Sequence, residues 1–360
     1  MNNYPFLEPA FLAALEDSGC VGPGTGWEPR HITLQAAAGE AFMPLYLKTH
    51  SWGEYVFDWS WADAYQRNGL DYYPKLVTAV PFSPATGPRV RLTGALTLES
   101  VARELAQRST ELAEETNASS WHLLFPDRTT ASAFAHPDLL QRSGAQYHWL
   151  NRDYTSFDDF LARFVARKRK TVRRERQRVA DQKLRIEMLP GEQISPELWD
   201  FFFALYQRTY IKRSGNGGYL TREFFAQIGN TFAPQVAMAV AYDANSPVAC
   251  ALFFSGDNTL YGRYWGCIRE YDCLHFELCY YQGIEYAIRQ GLQRFDAGAQ
   301  GEHKILRGFE PVETLSLHWI RHPEFRTAIA RFLLREQADI SAYIAHARTA
   351  LPYHKADVGA

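Results

Sequence analysis

Apolar positions along this chain recur with two periods, and the switches between them mark the elements. Residues 98–116 place Leu, Val and Ala on one face and glutamates on the other, the 3.6-residue period of an amphipathic helix. Residues 30–37 and 41–48 alternate as paired strands do, with Gly39 near the turn. A helix over 59–68 leads to a strand over 72–80, which Pro81 ends, and a Pro/Gly-rich loop runs to Gly94. A short buried strand over 120–125, a helical turn over 131–134 and a strand over 145–150 follow. Residues 156–180 read as one long helix, with Ser156 as N-cap and Asp158 and Asp159 in the first turn, where the helix dipole favours them. Beyond it the pattern predicts a strand over 184–189 and helices over 196–210 and 221–228, flanking the loop 214–218. A three-strand meander covers 235–242, 248–255 and 259–267. A helix over 274–290, strands over 293–298 and 313–320, and a final helix from 323 to about 348 complete the chain.

Strands cluster in runs here and do not alternate with helices one by one. That order predicts an α+β fold, with mixed but mostly antiparallel sheets flanked by helices. Two stretches share a rhythm. The helix of 59–68 closes on Arg67-Asn68-Gly69-Leu70 before Tyr72-Tyr73, and the helix of 274–290 closes on Arg289-Gln290-Gly291-Leu292 before Arg294-Phe295. In both, Gly stands where a helix C-terminus wants positive φ, and Leu follows to pack back on the last turn. The expected organisation is two like domains, 1–155 and 184–360, joined by a basic helix at 156–183.

Composition narrows the function. With 360 residues, 46% hydrophobic and 14% aromatic, the chain can build sizeable cores. Its net charge of −2 excludes general electrostatic capture of nucleic acid, so any basic site must be local. Five cysteines without a regular framework point to reduced thiols and a cytoplasmic protein. The N-terminal residues lack a basic region and a long apolar run, so neither a signal peptide nor a membrane span is expected.

The densest candidate chemistry lies in the polar loop 298–309, which sets Gln300, Glu302, His303, Lys304 and Arg307 between glycines. Glycines let the backbone approach a ligand, and these side chains offer acid, base and cation together. Glu277 and His275 open the helix that precedes it. Proton-accepting candidates are therefore Glu277, His275, His303 and Glu302; Gln300, Lys304 and Arg307 are candidates for binding substrate. A second cluster, Lys48, His50, Ser51, Trp52, Glu54, Tyr55 and Asp58, follows a strand, and its mix of charges and aromatics suits a substrate cleft. The one strong charge run lies in 163–178, where Arg169, Lys170, Arg173 and Arg174 could face phosphates while Phe157, Phe160, Phe164, Val165 and Val172 dock the helix. Cys267, Cys273, His275 and Cys279 lack the short C-x2-C knuckle of a zinc site, so no metal is expected.

Three stretches, FLARFVARKRKTVRRERQRVADQKLR at 160–185, RFDAGAQ at 294–300 and HKILRGFEP at 303–311, resemble segments of the FemABX acyltransferases. The run KTHSWGEYVFDWSWADAYQRNGLDYYPKLVTAVPFSPATGPR at 48–89 is similar to a bacterial family of FemAB-like N-acyltransferases associated with peptidoglycan biosynthesis or recognition. The resemblance implies two tandem GNAT-like domains and transfer of an acyl or aminoacyl group to an amine. The acceptor would be a cell-wall precursor or an amino-acid-like molecule. It implies no tightly bound cofactor; acyl-CoA, an acyl-carrier protein or aminoacyl-tRNA would be the co-substrate. Either Lys304 or Arg307 stands for the family's loop lysine. At 267–272 the chain reads CIREYD, not the glycine-rich loop by which acetyl-CoA-using GNAT enzymes hold a pyrophosphate. Two other readings remain: an acyl-CoA or acyl-carrier-protein N-acyltransferase outside wall synthesis, and a non-catalytic protein binding muropeptides or nucleic acid.

Overall fold

The computed structural model describes residues 3–299 and 301–354. By its contacts the chain forms two compact units, each discontinuous in sequence. One comprises Gly19–Ala145 and Glu313–Ile344; the other comprises residues up to Ser18, Gln146–Val312 and the chain from Ala345 on. The residues expected as a linking helix, 156–183, all fall in the second of these.

The 19–145 unit has a sheet in the order Trp27–Pro29, Tyr46–Lys48, Lys75–Thr78, Ser120–Leu124 and then the 313–320 part of Glu310–Ile320. Lys75–Thr78 runs parallel to Ser120–Leu124, with Leu76 opposite Trp121, and its other pairing is antiparallel, with Leu47 opposite Leu76. All four of its residues are buried, as a strand covered on both faces must be. Leu76, Leu105, Trp121, Leu123 and Leu317 share one core, and Leu98–Glu115 supplies Leu105. Trp61, Tyr65, Tyr72, Ile320, Ile329 and Leu333 form another. The expected strand over 72–80 is shorter, Lys75–Thr78. Pro74 has no N–H to give the ladder, so pairing starts after it.

In the 146–312 unit the expected three-strand meander is Val236–Asp243, Ser246–Gly256 and Thr259–Cys267, paired antiparallel in turn, and the strand expected before it, Arg185–Pro190, pairs antiparallel with Val236–Asp243. Arg294–Asp296 joins parallel to Thr259–Cys267, with Leu260 opposite Phe295, and pairs antiparallel with the end of Leu139–Leu150, with Phe295 opposite Trp149. Phe6, Phe11, Phe254 and Tyr261 pack edge to face over this sheet at centroid separations of 5.1–5.8 Å.

The expected single helix over 156–180 is two, Phe157–Ala162 and Ala166–Asp181. Ser156 caps the first as expected, accepting from the Asp159 N–H at 3.1 Å. The helix breaks because Phe164 is drawn into the core against Tyr353, at 5.3 Å between rings, while the Val165 N–H bonds the Pro352 carbonyl. The expected helix over 274–290 is also interrupted: Leu274–Phe276 and Gln282–Arg289 flank a π-helical turn at Glu277–Tyr281. Within the polar loop, Glu302–Arg307 form a short 3-10 turn.

Both expected glycine caps are present. Gly69 and Gly291 have φ of 70° and 67°. Each is followed by a leucine whose N–H reaches back along the helix, Leu70 to Tyr65 O at 3.0 Å and Leu292 to Ala287 O at 2.9 Å. A Cβ added at either glycine meets nothing within 4 Å, so only backbone strain opposes it. Gly69→Ala and Gly291→Ala should each therefore lower stability by about 1 kcal/mol, readable as a shift of the denaturant midpoint at constant slope. A loss well above that would mean the glycines serve a close contact and not a cap.

Candidate active site

In the 146–312 unit the π-helical turn and the 3-10 turn carry most of the candidate residues. Cys273, at φ 61°, turns the chain into the helix, and the π turn carries Glu277, Tyr280 and Tyr281, all buried against partners outside the helix. Glu277 is only 3% exposed. Arg176 grips both its oxygens, Nη2 to Oε1 at 2.9 Å and Nε to Oε2 at 3.1 Å, and Gln282 donates to Oε1 at 2.9 Å. The third guanidinium nitrogen of Arg176 binds Glu285 at 2.6 Å. Burial pushes the Glu277 carboxyl above its ordinary pKa, and Arg176 opposes that shift.

One residue earlier on the basic helix, Glu175 accepts from Arg307 at 2.7 and 3.2 Å and from the Tyr281 hydroxyl. The Arg307 guanidinium lies 3.4 Å from the Phe276 ring centroid. Lys304 is 1% exposed, and its ammonium donates to the Gly298 carbonyl at 2.6 Å. Burial brings it down to about 8. Lys304 and Arg307, expected to meet substrate, are thus committed to protein partners.

His303 differs: it is exposed, and its Nε2 lies 2.8 Å from the Tyr280 hydroxyl. Burial of part of the ring, then Arg307, Lys304 and Arg213, lower its pKa below the usual 6.5, so it is neutral at pH 7. His275 sits behind it, packed on Trp265 at 5.0 Å and Tyr280 at 5.3 Å, and burial takes it down to about 3. Glu302 is exposed beside His303. Gln300 lies outside the described residues. Sequence reasoning missed Arg176 and Tyr280; an arginine facing a buried glutamate, and a tyrosine three residues after it, were the available signals.

The basic helix is divided by its own periodicity. Val172 and Val179 are buried, and Arg176 lies between them. Arg167, Lys170, Arg174 and Arg178 share the opposite, exposed face. Arg178 pairs with Asp272 at 3.4 Å and Arg173 with Asp158 at 3.3 Å; Arg169 donates to the Ala162 carbonyl. Among the described residues Arg167, Lys170 and Arg174 form no ion pair.

In the 19–145 unit the second cluster assembles around a residue the sequence reading left out. Lys75 is fully buried, and its ammonium donates to Ser51 Oγ and Glu54 Oε2, each at 2.8 Å, and to Asp58. A lysine inside the apolar strand KLVT was the signal, since it must find anions there. Tyr73 OH meets Ser51 Oγ at 2.9 Å, and Tyr72 OH donates to Asp58 at 2.6 Å. His122, Ser120, His318 and Ser316 continue the polar file, with His122 and His318 2.6 Å apart at their Nδ1 atoms. Lys48 lies 3.7 Å over the Trp27 ring, 3.4 Å from His50 and 3.9 Å from Glu54. So Lys48, His50, Ser51, Glu54 and Asp58 do come together. Tyr55 is half-buried on the same loop at φ 62°. Burial pushes Lys48 down to about 7 and Glu54 up to about 7, whereas at Asp58 the Lys75 charge outweighs burial and holds the carboxyl at about 2.

All five cysteines are free thiols, and no group of three or more His, Cys, Asp or Glu among the described residues could seat a metal. Among those residues no helix is long and apolar enough to cross a membrane.

The chain belongs to the FemAB-like family, described as peptidoglycan biosynthesis/recognition, whose pattern matches residues 1–355. No curated protein matches the sequence. Among solved structures, FemX is 12% identical and aligns over 91% of this chain and 95% of its own, at a TM-score of 0.52. L-PGS from Bacillus licheniformis, also 12% identical, aligns over 91% and 97% at 0.52. The C-terminal domain of a putative lysylphosphatidylglycerol synthetase from Agrobacterium fabrum, again 12% identical, aligns over 92% of each chain at 0.53. These likenesses show the fold: the chain is a FemX-type α+β protein.

The buried cluster of the 19–145 unit yields two expected outcomes. Lys75→Met strands two buried carboxylates and should destabilise the protein by about 3–5 kcal/mol, while Lys75→Met with Glu54→Gln and Asp58→Asn should recover part of the loss. Asp58 is held at about 2 against an ordinary 3.8, so its contribution is present above pH 4 and lost as pH falls through 2. Wild type should thus lose about 2 kcal/mol more than Asp58→Asn between pH 4 and pH 2 in denaturant titrations. Parallel curves would mean Lys75 does not hold that charge.

Proposed function

We propose that this FemAB-like chain is a transferase that moves an acyl or aminoacyl group onto an amine, with His303 accepting the amine's proton. The exposed, neutral imidazole hydrogen-bonded to Tyr280 carries the proposal. Glu277, the other strong candidate, has both oxygens occupied by Arg176 and one also by Gln282, so it serves better as an anchor than as a base. His275 is packed away among rings. In the tautomer with Nε2–H donating to the Tyr280 oxygen, Nδ1 of His303 is the accepting atom.

The step balances simply. The amine nitrogen attacks the acyl carbonyl carbon and a C–N bond forms. The C–O or C–S bond to the carrier breaks, and the nitrogen's proton passes to His303. The His303 imidazolium then gives that proton to the departing oxygen or sulfur, so the carrier leaves as alcohol or thiol and the imidazole returns to its neutral form. The donor's carrier is polyanionic: an acyl-CoA, an acyl-carrier protein or an aminoacyl-tRNA. The unpaired face of Arg167, Lys170 and Arg174 supports this, as does the cationic surround of His303. Arg169 and Arg173 flank that face. The family description favours an acceptor from peptidoglycan precursors, or an amine resembling one.

A donor panel tests the reading first. A carrier at a hundred times its dissociation constant should raise stability by about 2.7 kcal/mol. A shift with one carrier class fixes the donor; a shift with a wall precursor alone, and none with any carrier, turns the reading to recognition without catalysis. With turnover in hand, His303→Ala should lower kcat by about 10²–10⁴-fold. Since the neutral ring is the active form and its pKa lies below 6.5, the wild-type rate should climb with pH through a midpoint below 6.5 and then level. Full activity in His303→Ala removes the histidine from the mechanism. Lys170→Glu with Arg174→Glu should weaken carrier binding and flatten its salt dependence.

A further inference from the structure

His303 lies on a turn of six residues, and the short turn alone does not fix where its ring points. A chain of buried polar contacts leads to that turn. Asp296 ends the strand Arg294–Asp296 and is 1% exposed. Arg263 holds it through Nη2 to Oδ2 at 2.8 Å and Nη1 to Oδ1 at 3.2 Å, and His148 stands 3.8 Å away. Asp296 Oδ1 then accepts the Gly298 N–H at 2.9 Å, which turns the chain out of the strand at φ 86°. The carbonyl of the same Gly298 accepts the buried Lys304 ammonium at 2.6 Å. Lys304 is His303's neighbour in the 3-10 turn, and Arg307, one turn on, donates to the His303 carbonyl at 2.7 Å. Gly301 leaves room for the ring: a Cβ there would stand 2.4 Å from His303 Cε1.

We infer that Asp296 and Lys304 are positioning residues, which through the N–H and the carbonyl of Gly298 hold the 302–307 turn so that His303 stays bonded to Tyr280. The inference rests on the reading of His303 as proton acceptor. Asp296 and Lys304 touch no reacting atom. A burial this complete takes a lysine out of reach of substrate, yet its charge persists beside a carbonyl because Asp296 supplies the compensating anion. Groups held this way fix the backbone of the turn from which a working imidazole is aimed.

The test reads the ring itself and needs no turnover. Histidine ring 15N–1H spectra of the whole protein are recorded across pH, with His303→Asn assigning the signals. In wild type, Tyr280→Phe should shift the His303 resonances. In Asp296→Asn and in Lys304→Met that response should be lost, and the His303 midpoint should rise toward 6.5. Gly298→Ala guards against simple unfolding, since its Cβ meets nothing closer than Gly262 O at 3.9 Å and only the backbone is strained. It should weaken the Tyr280 response while thermal melts stay cooperative. An unchanged Tyr280 response and midpoint in Gly298→Ala and either charge variant would overturn the inference. Full turnover in His303→Ala would sink the proton-acceptor role alone, and the spectra would still decide whether Asp296 and Lys304 hold the ring. With the catalytic reading intact, Asp296→Asn should lower kcat at least tenfold with little change in KM.

Discussion

A carboxylate withdrawn from water needs a cation held in fixed geometry, and in the 146–312 unit that requirement falls on Glu277 and Arg176. The fork of Arg176 occupies both Glu277 oxygens, and its remaining nitrogen takes Glu285. Three ends of structure are tied at this point: the basic helix, the π turn and the helix that continues it. Glu175 repeats the device one residue away, gathering Arg307 and Tyr281. Because of these two knots the turn bearing His303 is fastened to the basic helix through Arg307 while the imidazole itself stays exposed. Removing one partner from such a pair leaves the other charged and buried, which is costly, so the arrangement acts as a latch more than as a source of net stability.

The 19–145 unit meets the same constraint in another way. Its charges come in a balanced four, two lysines and two carboxylates, closed over by residues 49–58. Three side chains of that one loop, Ser51, Glu54 and Asp58, converge on a single strand lysine. The loop's conformation is therefore set by Lys75 more than by its own sequence, which includes Tyr55 at positive φ and an exposed Trp52. The hydrogen bond that Tyr72 donates to Asp58, and the contact of Tyr72 with His122, carry the polar file into the core without leaving a charge uncompensated at its far end, because burial keeps both histidines neutral.

What the sequence disclosed was whatever depends on near neighbours. The meander, the Ser156 cap and the glycine caps at Gly69 and Gly291 were all legible, because each is written within a few residues. The break at 163–165 was not, because its cause is the Pro352 carbonyl and the Tyr353 ring, distant in sequence. The candidate residues were legible by type and partly by place. Their roles were not: Glu277 and His303 look equally able as bases until partners are known, and partners follow from register and from a π turn that no local signal announces. Lys304 and Arg307 are alike in this, since a cation in a glycine-flanked loop gives no sign in the sequence of the buried acceptor it meets.

The basic helix shows how one string of charges divides between two faces. Residues 172, 176 and 179 recur at helical spacing and face inward, so an arginine there is bound to be neutralised by protein. Residues 167, 170, 174 and 178 recur at the same spacing on the far side, where water already solvates them. Like charges at spacings of three and four repel by a few tenths of a kcal/mol per pair, a penalty the sequence could have avoided with alternating signs. It alternates them on the inner edge, where Glu175 precedes Arg176, and not on the outer one. The proposed polyanionic carrier would find these cations ready, since each one left unpaired there need not first be released from a carboxylate.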